Sequence, residues 1–222
     1  MLLFSGPGVA VRVDRVEDAA PARPAVRLTV AAAVPKGDRA DWMVEKLSEL
    51  GVAEFVPLAA ARSVVLPGGR NKRERWVRIA TESAKQSRRA GVMRVGELTP
   101  VAEALRVESG AACWFLATEA ESAPVQIATA TASLAVGATL VAFVGPEGGW
   151  TDDELRQFAA ASARAVRLTD TVLRVETAAV AVAAVVGCLT VPPLSPVLGG
   201  EGGGEGLDRE PPQNAPHPNS LP

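Results

Sequence analysis

The run Thr139-Leu140-Val141-Ala142-Phe143-Val144-Gly145-Pro146-Glu147-Gly148-Gly149-Trp150-Thr151-Asp152-Asp153-Glu154 decides the fold. Its apolar first part, bounded by Gly-Pro, predicts a strand of the central type, buried on both faces. Thr151 with Glu154 three positions on forms a capping box, which predicts a helix from there to about Ser162. Strand, glycine-rich loop and helix in that order are the building unit of a parallel α/β sheet. Glycines at the C-terminal end of such a strand let a ligand approach the main chain, and open α/β sheets bind ligands at these ends. A tight βα turn alone would also call for them. The spacing is neither the dinucleotide fingerprint G-x-G-x-x-G nor a Walker A loop, because no Gly-Lys-Ser/Thr follows.

Working outward, the same alternation extends over residues 35–191. Asp38 is placed to cap a helix that runs to Leu50, with Met43, Leu47 and Leu50 on one face and Gly51 as its stop. Glu54 to Leu58 reads as a strand. Asn71 and Glu74 form a capping-box-like start for a long helix to about Ala90, with Trp76, Ala80, Ala84 and Ser87 sharing a face. A short strand near Val92 to Val95 precedes a helix with Thr99 as cap and Pro100 at its first position. Ala112 to Ala117 is a second central-type strand, Ala165 to Leu168 a third, and Glu176 to Leu189 an Ala/Val-rich buried helix. The expected fold is α/β, with a parallel sheet flanked by helices.

The ends are different. Residues 2–16 alternate loosely around Ser5-Gly6-Pro7-Gly8 and predict a β-hairpin. Asp18 to Pro24 reads as a loop and Val26 to Val34 as another strand; three strands without a helix make a poor independent domain, so either they pack on the rest or residues 1–34 are part of a small N-terminal β-domain. From residue 192 onward, prolines and the run Gly199-Gly200-Glu201-Gly202-Gly203-Gly204-Glu205-Gly206 predict a disordered tail, because such a segment buries too little apolar surface to offset its chain entropy.

Composition narrows the function. The chain is 48% hydrophobic and 22% charged, which suits a globular protein with a core. The longest apolar run, Ala178 to Leu189, falls short of the roughly 18 residues of a membrane helix. No basic stretch followed by an apolar one opens the chain, so a cytoplasmic location is expected. Cys113 and Cys188 are too few for a disulfide framework or a zinc site, and read as buried thiols. The one histidine, His217, lies in the Pro-rich tail, which argues against a His base or a His-ligated metal.

Net charge is −2, yet its distribution is uneven. Between Arg62 and Arg94 lie ten basic residues, opposed only by Glu74 and Glu82. A solvated helix face would account for some of them. So dense a run of one sign also suits phosphate as a partner. A second strand-to-helix junction, Leu168-Thr169-Asp170-Thr171-Val172-Leu173-Arg174-Val175-Glu176-Thr177-Ala178, carries Arg174 and Glu176 beside a helix start. They read either as an ion pair with an N-cap or as an anion-holding arginine in fixed geometry.

Gly145-Pro146-Glu147-Gly148-Gly149 and Leu173-Arg174-Val175-Glu176-Thr177-Ala178 resemble the RsmE family of the knotted SPOUT methyltransferases. Lys36-Gly37-Asp38, Glu45 to Val52, Arg62-Ser63-Val64-Val65, Arg75-Trp76 and Ala84 to Arg89 support the resemblance, which covers about residues 2–189. It implies an S-adenosylmethionine-dependent enzyme that methylates N3 of a uridine in 16S ribosomal RNA, needing no metal. It also implies a C-terminal trefoil knot and a homodimer. The methyl donor would lie against Leu116, Val144, Gly145, Pro146, Gly148, Gly149, Leu168, Leu173 and Thr177. Arg174, Glu147 and Arg62 are the candidate catalytic residues. Arg174 would stabilise the uridine anion, with Arg62 of the partner region second; Glu147 or Glu176 would take the proton, or Glu147 would serve only to brace the loop. Arg73, Arg78, Lys85, Arg88 and Arg89 would grip the rRNA of the small ribosomal subunit.

The sequence departs from the family pattern at Thr169-Asp170-Thr171, where Gly-Pro-Arg is usual, and at Trp150, where Phe is common. Leu3 to Gly8 matches the middle of a PUA-like RNA-binding barrel whose first strands are not present, so an incomplete barrel is expected. The competing readings are a non-catalytic RNA-binding remnant, a knotted methyltransferase with another RNA substrate, and a Rossmann oxidoreductase. The last is disfavoured by the missing fingerprint.

Overall fold

The computed structural model describes residues 2–6, 9–13, 26–66, 70–106, 110–118 and 122–190. The expected loop at Asp18 to Pro24 and the expected disordered tail lie outside these residues. The elements run β1 (Leu2–Gly6), β2 (Val9–Val13), β3 (Val26–Ala32), α1 (Asp38–Glu49), β4 (Glu54–Ala59), α2 (Arg70–Gln86), β5 (Arg94–Val95), β6 (Thr99–Pro100), α3 (Val101–Ala104), β7 (Ala112–Leu116), β8 (Val125–Gln126), α4 (Ile127–Ala132), β9 (Ala138–Val144), α5 (Asp152–Ala160), β10 (Arg164–Arg167) and α6 (Val175–Thr190).

β1 and β2 form the expected antiparallel hairpin, in register from Leu2↔Val13 to Gly6↔Val9. It is the only sheet structure ahead of β3 among the described residues, and no barrel is seen there. The other strands build one sheet in the order β5-β4-β3-β9-β7-β10-β8, with β6 also paired to β4, and every pairing is parallel. The strand expected at Val26–Val34 is therefore not part of an N-terminal β-domain. β3 pairs with β9 along its whole length and with β4 on its other side, so the parallel sheet begins at Val26 rather than after residue 34.

Parallel strands at the middle of a sheet are covered on both faces, and the alternation of side chains sorts them into two cores. Leu140, Ala142 and Val144 of β9 join Val26, Leu28, Val30 and Ala32 of β3 in the larger core. The same core holds Val44 and Leu47 of α1, Trp76 of α2, and Ala179 and Val182 of α6. Val141 and Phe143 point the other way, into a smaller core with Leu58, Phe115, Trp150 and Phe158. Here the Phe158 ring stacks on Phe115 at 4.4 Å and meets Phe143 and Trp150 edge-on at 5.3 and 4.8 Å. Among the described residues no helix is long and apolar enough to cross a membrane.

Several helix starts differ from expectation. Gly37, not Asp38, is the N-cap of α1; it makes no side-chain cap bond, and Asp38 and Asp41 occupy the acidic first turn. Acidic groups there are favoured by the helix dipole without acting as caps. α2 already includes Arg70, so Asn71 lies inside the helix. Pro100 caps α3, while the Thr99 hydroxyl donates to the Glu97 carbonyl instead. The α5 capping box is complete, with both reciprocal bonds present. Cys113 is half-buried, and burial pushes its thiol pKa up; Cys188 is exposed, contrary to expectation.

Phe158→Ala should cost about 3–5 kcal/mol of stability, because it empties the centre of the smaller core. The urea midpoint reads this directly, and a change below about 1 kcal/mol would mean that the aromatic cluster contributes little.

Candidate active site

Because the sheet is parallel, β7, β9 and β10 deliver their following loops to one edge. There the loops enclose a cleft of about 640 Å³, within the size range of small-ligand sites. Leu116 to Thr118 line it from β7, Val144 to Trp150 from β9, and Val166 to Leu173 from β10; Val175 and Ala178 of α6 and Arg62 complete it.

The loop after β9 is shaped from behind. Trp150 lies under Gly145, where a Cβ would sit 2.9 Å from the indole ring, so no larger residue fits without displacing it. The indole N–H donates to the Leu116 carbonyl at 2.7 Å, tying this loop to the end of β7. Gly149 takes φ 71°, a conformation open to glycine, and its N–H closes a turn onto the Pro146 carbonyl at 2.9 Å. Arg62 spans the outside, with Nη1 donating to the carbonyls of Gly148 at 2.7 Å and Trp150 at 3.1 Å.

The loop after β10 is held locally. The Thr169 hydroxyl donates to the Thr171 carbonyl at 2.9 Å and accepts from the Thr171 N–H at 3.3 Å. Arg167 pairs with the exposed Asp170 at 3.2 Å. The Thr-Asp-Thr variant thus supplies its own turn bonds.

Of the residues expected at the donor, Leu116, Val144, Gly145, Pro146, Gly148, Gly149, Leu168 and Leu173 all line the cleft. Thr177 does not; it is exposed, and Ala178 lines the cleft in its place. Glu147 faces the cleft and is exposed, and it makes no hydrogen bond or ion pair among the described residues. Arg174 is exposed beside the cleft, outside its lining. It does not pair with Glu176. That carboxylate is buried and accepts from Arg39 at 3.2 Å, while its Oε2 has no partner among the described residues. Arg62 reaches the cleft in the same chain, but its guanidinium is engaged by loop carbonyls.

The basic run divides on inspection. Arg89 donates to the carbonyls of Ser48, Gly51 and Val52 at the end of α1, at 2.7–3.1 Å, and Arg73 donates to the Val95 carbonyl at 2.9 Å. Arg89 is half-buried and committed to the fold through both terminal nitrogens, whereas Arg73 is exposed and uses only its Nε. Lys85 makes an exposed ion pair with Glu82. Lys72, Arg75 and the Trp76 indole converge on Asp41, the acidic anchor that seats α2 on α1. Arg78 and Arg88 are exposed, with no ion pair among the described residues. Sequence reasoning did not pick out Arg39, Arg167 or Asp41, whose partners lie far along the chain or inside a turn.

These features define a parallel α/β protein with a small-molecule cleft where two glycine- and threonine-bearing loops meet. Comparison with known proteins narrows the class. The RNA methyltransferase domain family model matches residues 22–187. The chain is 39% identical over 191 residues to ribosomal RNA small subunit methyltransferase E of Mycobacterium bovis, covering 82% of this chain and 70% of that protein. With the Bacillus subtilis protein of the same name it shares 36% over 160 residues, covering 69% of this chain and 62% of the relative, so it spans less than two thirds of that relative's length. A crystal structure of ribosomal RNA small subunit methyltransferase E from Neisseria gonorrhoeae, bound to S-adenosyl methionine, matches with a TM-score of 0.64 and 30% identity, over 74% of this chain and 66% of that one. The chain belongs to the ribosomal RNA small subunit methyltransferase E (RsmE) family.

Burial alone would raise the Asp41 pKa, but the hydrogen bonds from Arg75, Lys72 and Trp76 outweigh it and hold the carboxyl below its ordinary value. A depressed carboxylate stabilises the fold above its unfolded pKa, and that contribution is lost as pH falls through the folded pKa. Asp41→Asn should therefore cost about 2 kcal/mol at pH 7 and make the acid limb of the stability curve shallower below about pH 4. Parallel acid limbs for the two proteins would contradict the assignment.

Proposed function

We propose that this chain transfers a methyl group from S-adenosylmethionine to N3 of a uridine in 16S ribosomal RNA. The observation that carries the reading is the cleft itself, formed where the loops after β9 and β10 meet, in a chain of this family. Its walls suit the donor. Leu116, Val144, Leu168 and Leu173 offer apolar surface to a flat base, and the main chain of residues 145–149 offers polar groups to its edge. When bound, the donor supplies an electrophilic methyl on its sulfonium.

Uridine N3 carries a proton and becomes a strong nucleophile only after losing it. Glu147 is the carboxylate on the cleft wall without a partner among the described residues, and it takes the N3 proton. Glu176 is held by Arg39 away from the lining and is not the base. Arg174, just past the donor wall, stabilises the uridine anion as it forms. Arg62 holds the loop rather than the substrate.

The chain routing supports a trefoil knot. β9 lies between β3 and β7, the chain then reaches β10 beyond β7, and α6 returns to pack on β3 and β9. A second copy would cover α6 along its small outer residues Thr177, Ala181, Ala184 and Cys188, giving a homodimer. Arg78 and Arg88, with Lys85, meet the phosphates of the rRNA in the small subunit, and the protein acts in the cytoplasm. Phosphate contacts of this kind position RNA without reading it.

Arg174→Ala should lower methyl transfer about 10²–10³-fold while leaving donor affinity nearly unchanged. Small subunits lacking the modification are the substrate, and nucleoside mass spectrometry counts N3-methyluridine. No product with the unaltered chain would defeat the reading, and normal turnover by the variant would remove Arg174. Charge reversal at Arg78 and Arg88 together should flatten the salt dependence of rRNA binding by about two phosphate contacts. An unchanged slope would take α2 out of the interface.

A further inference from the structure

Glu154 does more than a helix cap requires. It lies in the first turn of α5 and is only 5% exposed, where a carboxylate is costly unless its oxygens are satisfied. Oε2 completes the capping box, accepting from the Thr151 N–H at 2.9 Å and the Thr151 hydroxyl at 3.0 Å. Oε1 plays no part in the cap. It turns to a distant stretch of chain and accepts the Ala61 N–H at 2.8 Å. The next residue is Arg62, whose guanidinium holds the carbonyls of Gly148 and Trp150.

These bonds close a ring. It runs from Glu154 to Ala61, through Arg62 to Gly148 and Trp150, and along the chain through Thr151 back to Glu154. We propose that Glu154 is a positioning residue for the cleft. It fixes the root of Arg62 and the end of the β9 loop with one buried carboxylate, so that the loop keeps its path without touching any ligand itself. The chemistry suits the task. Two carboxylate oxygens can hold two separate groups of N–H donors, whereas an amide has one acceptor and would set its own NH2 against a donor. Arg62 is exposed and would otherwise be free to leave the loop; anchoring its main chain lowers the entropy lost in each contact it makes.

The functional consequence rests on the reading of the cleft as a donor site, but the positioning is a property of the unliganded chain, so the two are tested separately. Amide hydrogen exchange is measured on the unliganded protein, and S-adenosylmethionine affinity by calorimetry. Glu154→Gln should speed exchange of Gly149, whose N–H closes the loop turn, by about tenfold, equivalent to about 1.4 kcal/mol. Arg62→Ala, on an exposed side chain, should do the same. The double variant should go little further, because Glu154 acts through Arg62. Thr151→Ala, which removes the cap hydroxyl alone, should lower stability without speeding Gly149. Donor affinity should weaken about tenfold in Glu154→Gln and Arg62→Ala alike. Faster exchange confined to the first turn of α5, or additive effects in the double variant, would overturn the proposal. An unaltered chain that binds no donor would instead defeat the donor reading and leave the exchange result to decide the positioning.

Discussion

The parallel pairing of β9 between β3 and β7 is the constraint on which the rest depends. β9 matches β3 from Ala138↔Val26 to Val144↔Ala32, and its other edge is taken by β7. Parallel neighbours cannot be joined by tight turns, so each connection must cross a face of the sheet. Both faces are thereby covered, and β9 is left with apolar side chains pointing both ways. The same geometry sends the chain out at one edge after every strand. A cleft at the ends of β7, β9 and β10 follows from that arrangement, and the loop residues settle what it can hold.

Much of this was legible because local signals and the global fold agree. Thr151 and Glu154 announced a helix, and the capping box is complete. The apolar runs at 112–117 and 139–144 announced central strands. The eight glycine, proline and apolar residues now found on the cleft wall were legible through family motifs rather than through spacing alone. What escaped was either too short or too distant. β8 and α4 carry no periodicity long enough to declare a strand or helix. Val26 to Val34 read correctly as a strand, but nothing local says which sheet it joins; the partner strand β9 begins at Ala138. Arg39 and Glu176 meet from opposite ends of the domain, so the nearby Arg174 looked the natural partner.

The basic run shows a different limit. Its sign suggested phosphate, and charge alone does not distinguish an external anion from the protein's own carbonyls. Arg89 follows α2 where the end of α1 offers main-chain oxygens, and a guanidinium with five donors satisfies three of them at once. Asp41 draws in two more cations and an indole. A sequence with ten positive residues in this stretch therefore presents a much smaller free charge to a partner. Arg70, Arg78 and Arg88 are the exposed cations of this run that no acceptor of the fold reaches among the described residues.

The two walls of the cleft are held by different means, and this bears on how a ligand is received. The β9 loop is tied to three separate elements: to β7 through the Trp150 indole, to the segment after β4 through Arg62, and to α5 through Thr151. The β10 loop is held by threonine bonds within its own turn and by an ion pair whose carboxylate is 86% exposed. Exposed pairs of that kind contribute about 0–1 kcal/mol. The entropy of ordering a site on binding falls on its less restrained side. Here that side is Leu168 to Leu173. The wall of residues 145–150 keeps its path through ties to three elements, with the buried Glu154 carboxylate behind it, while the opposite wall is set by bonds within its own turn.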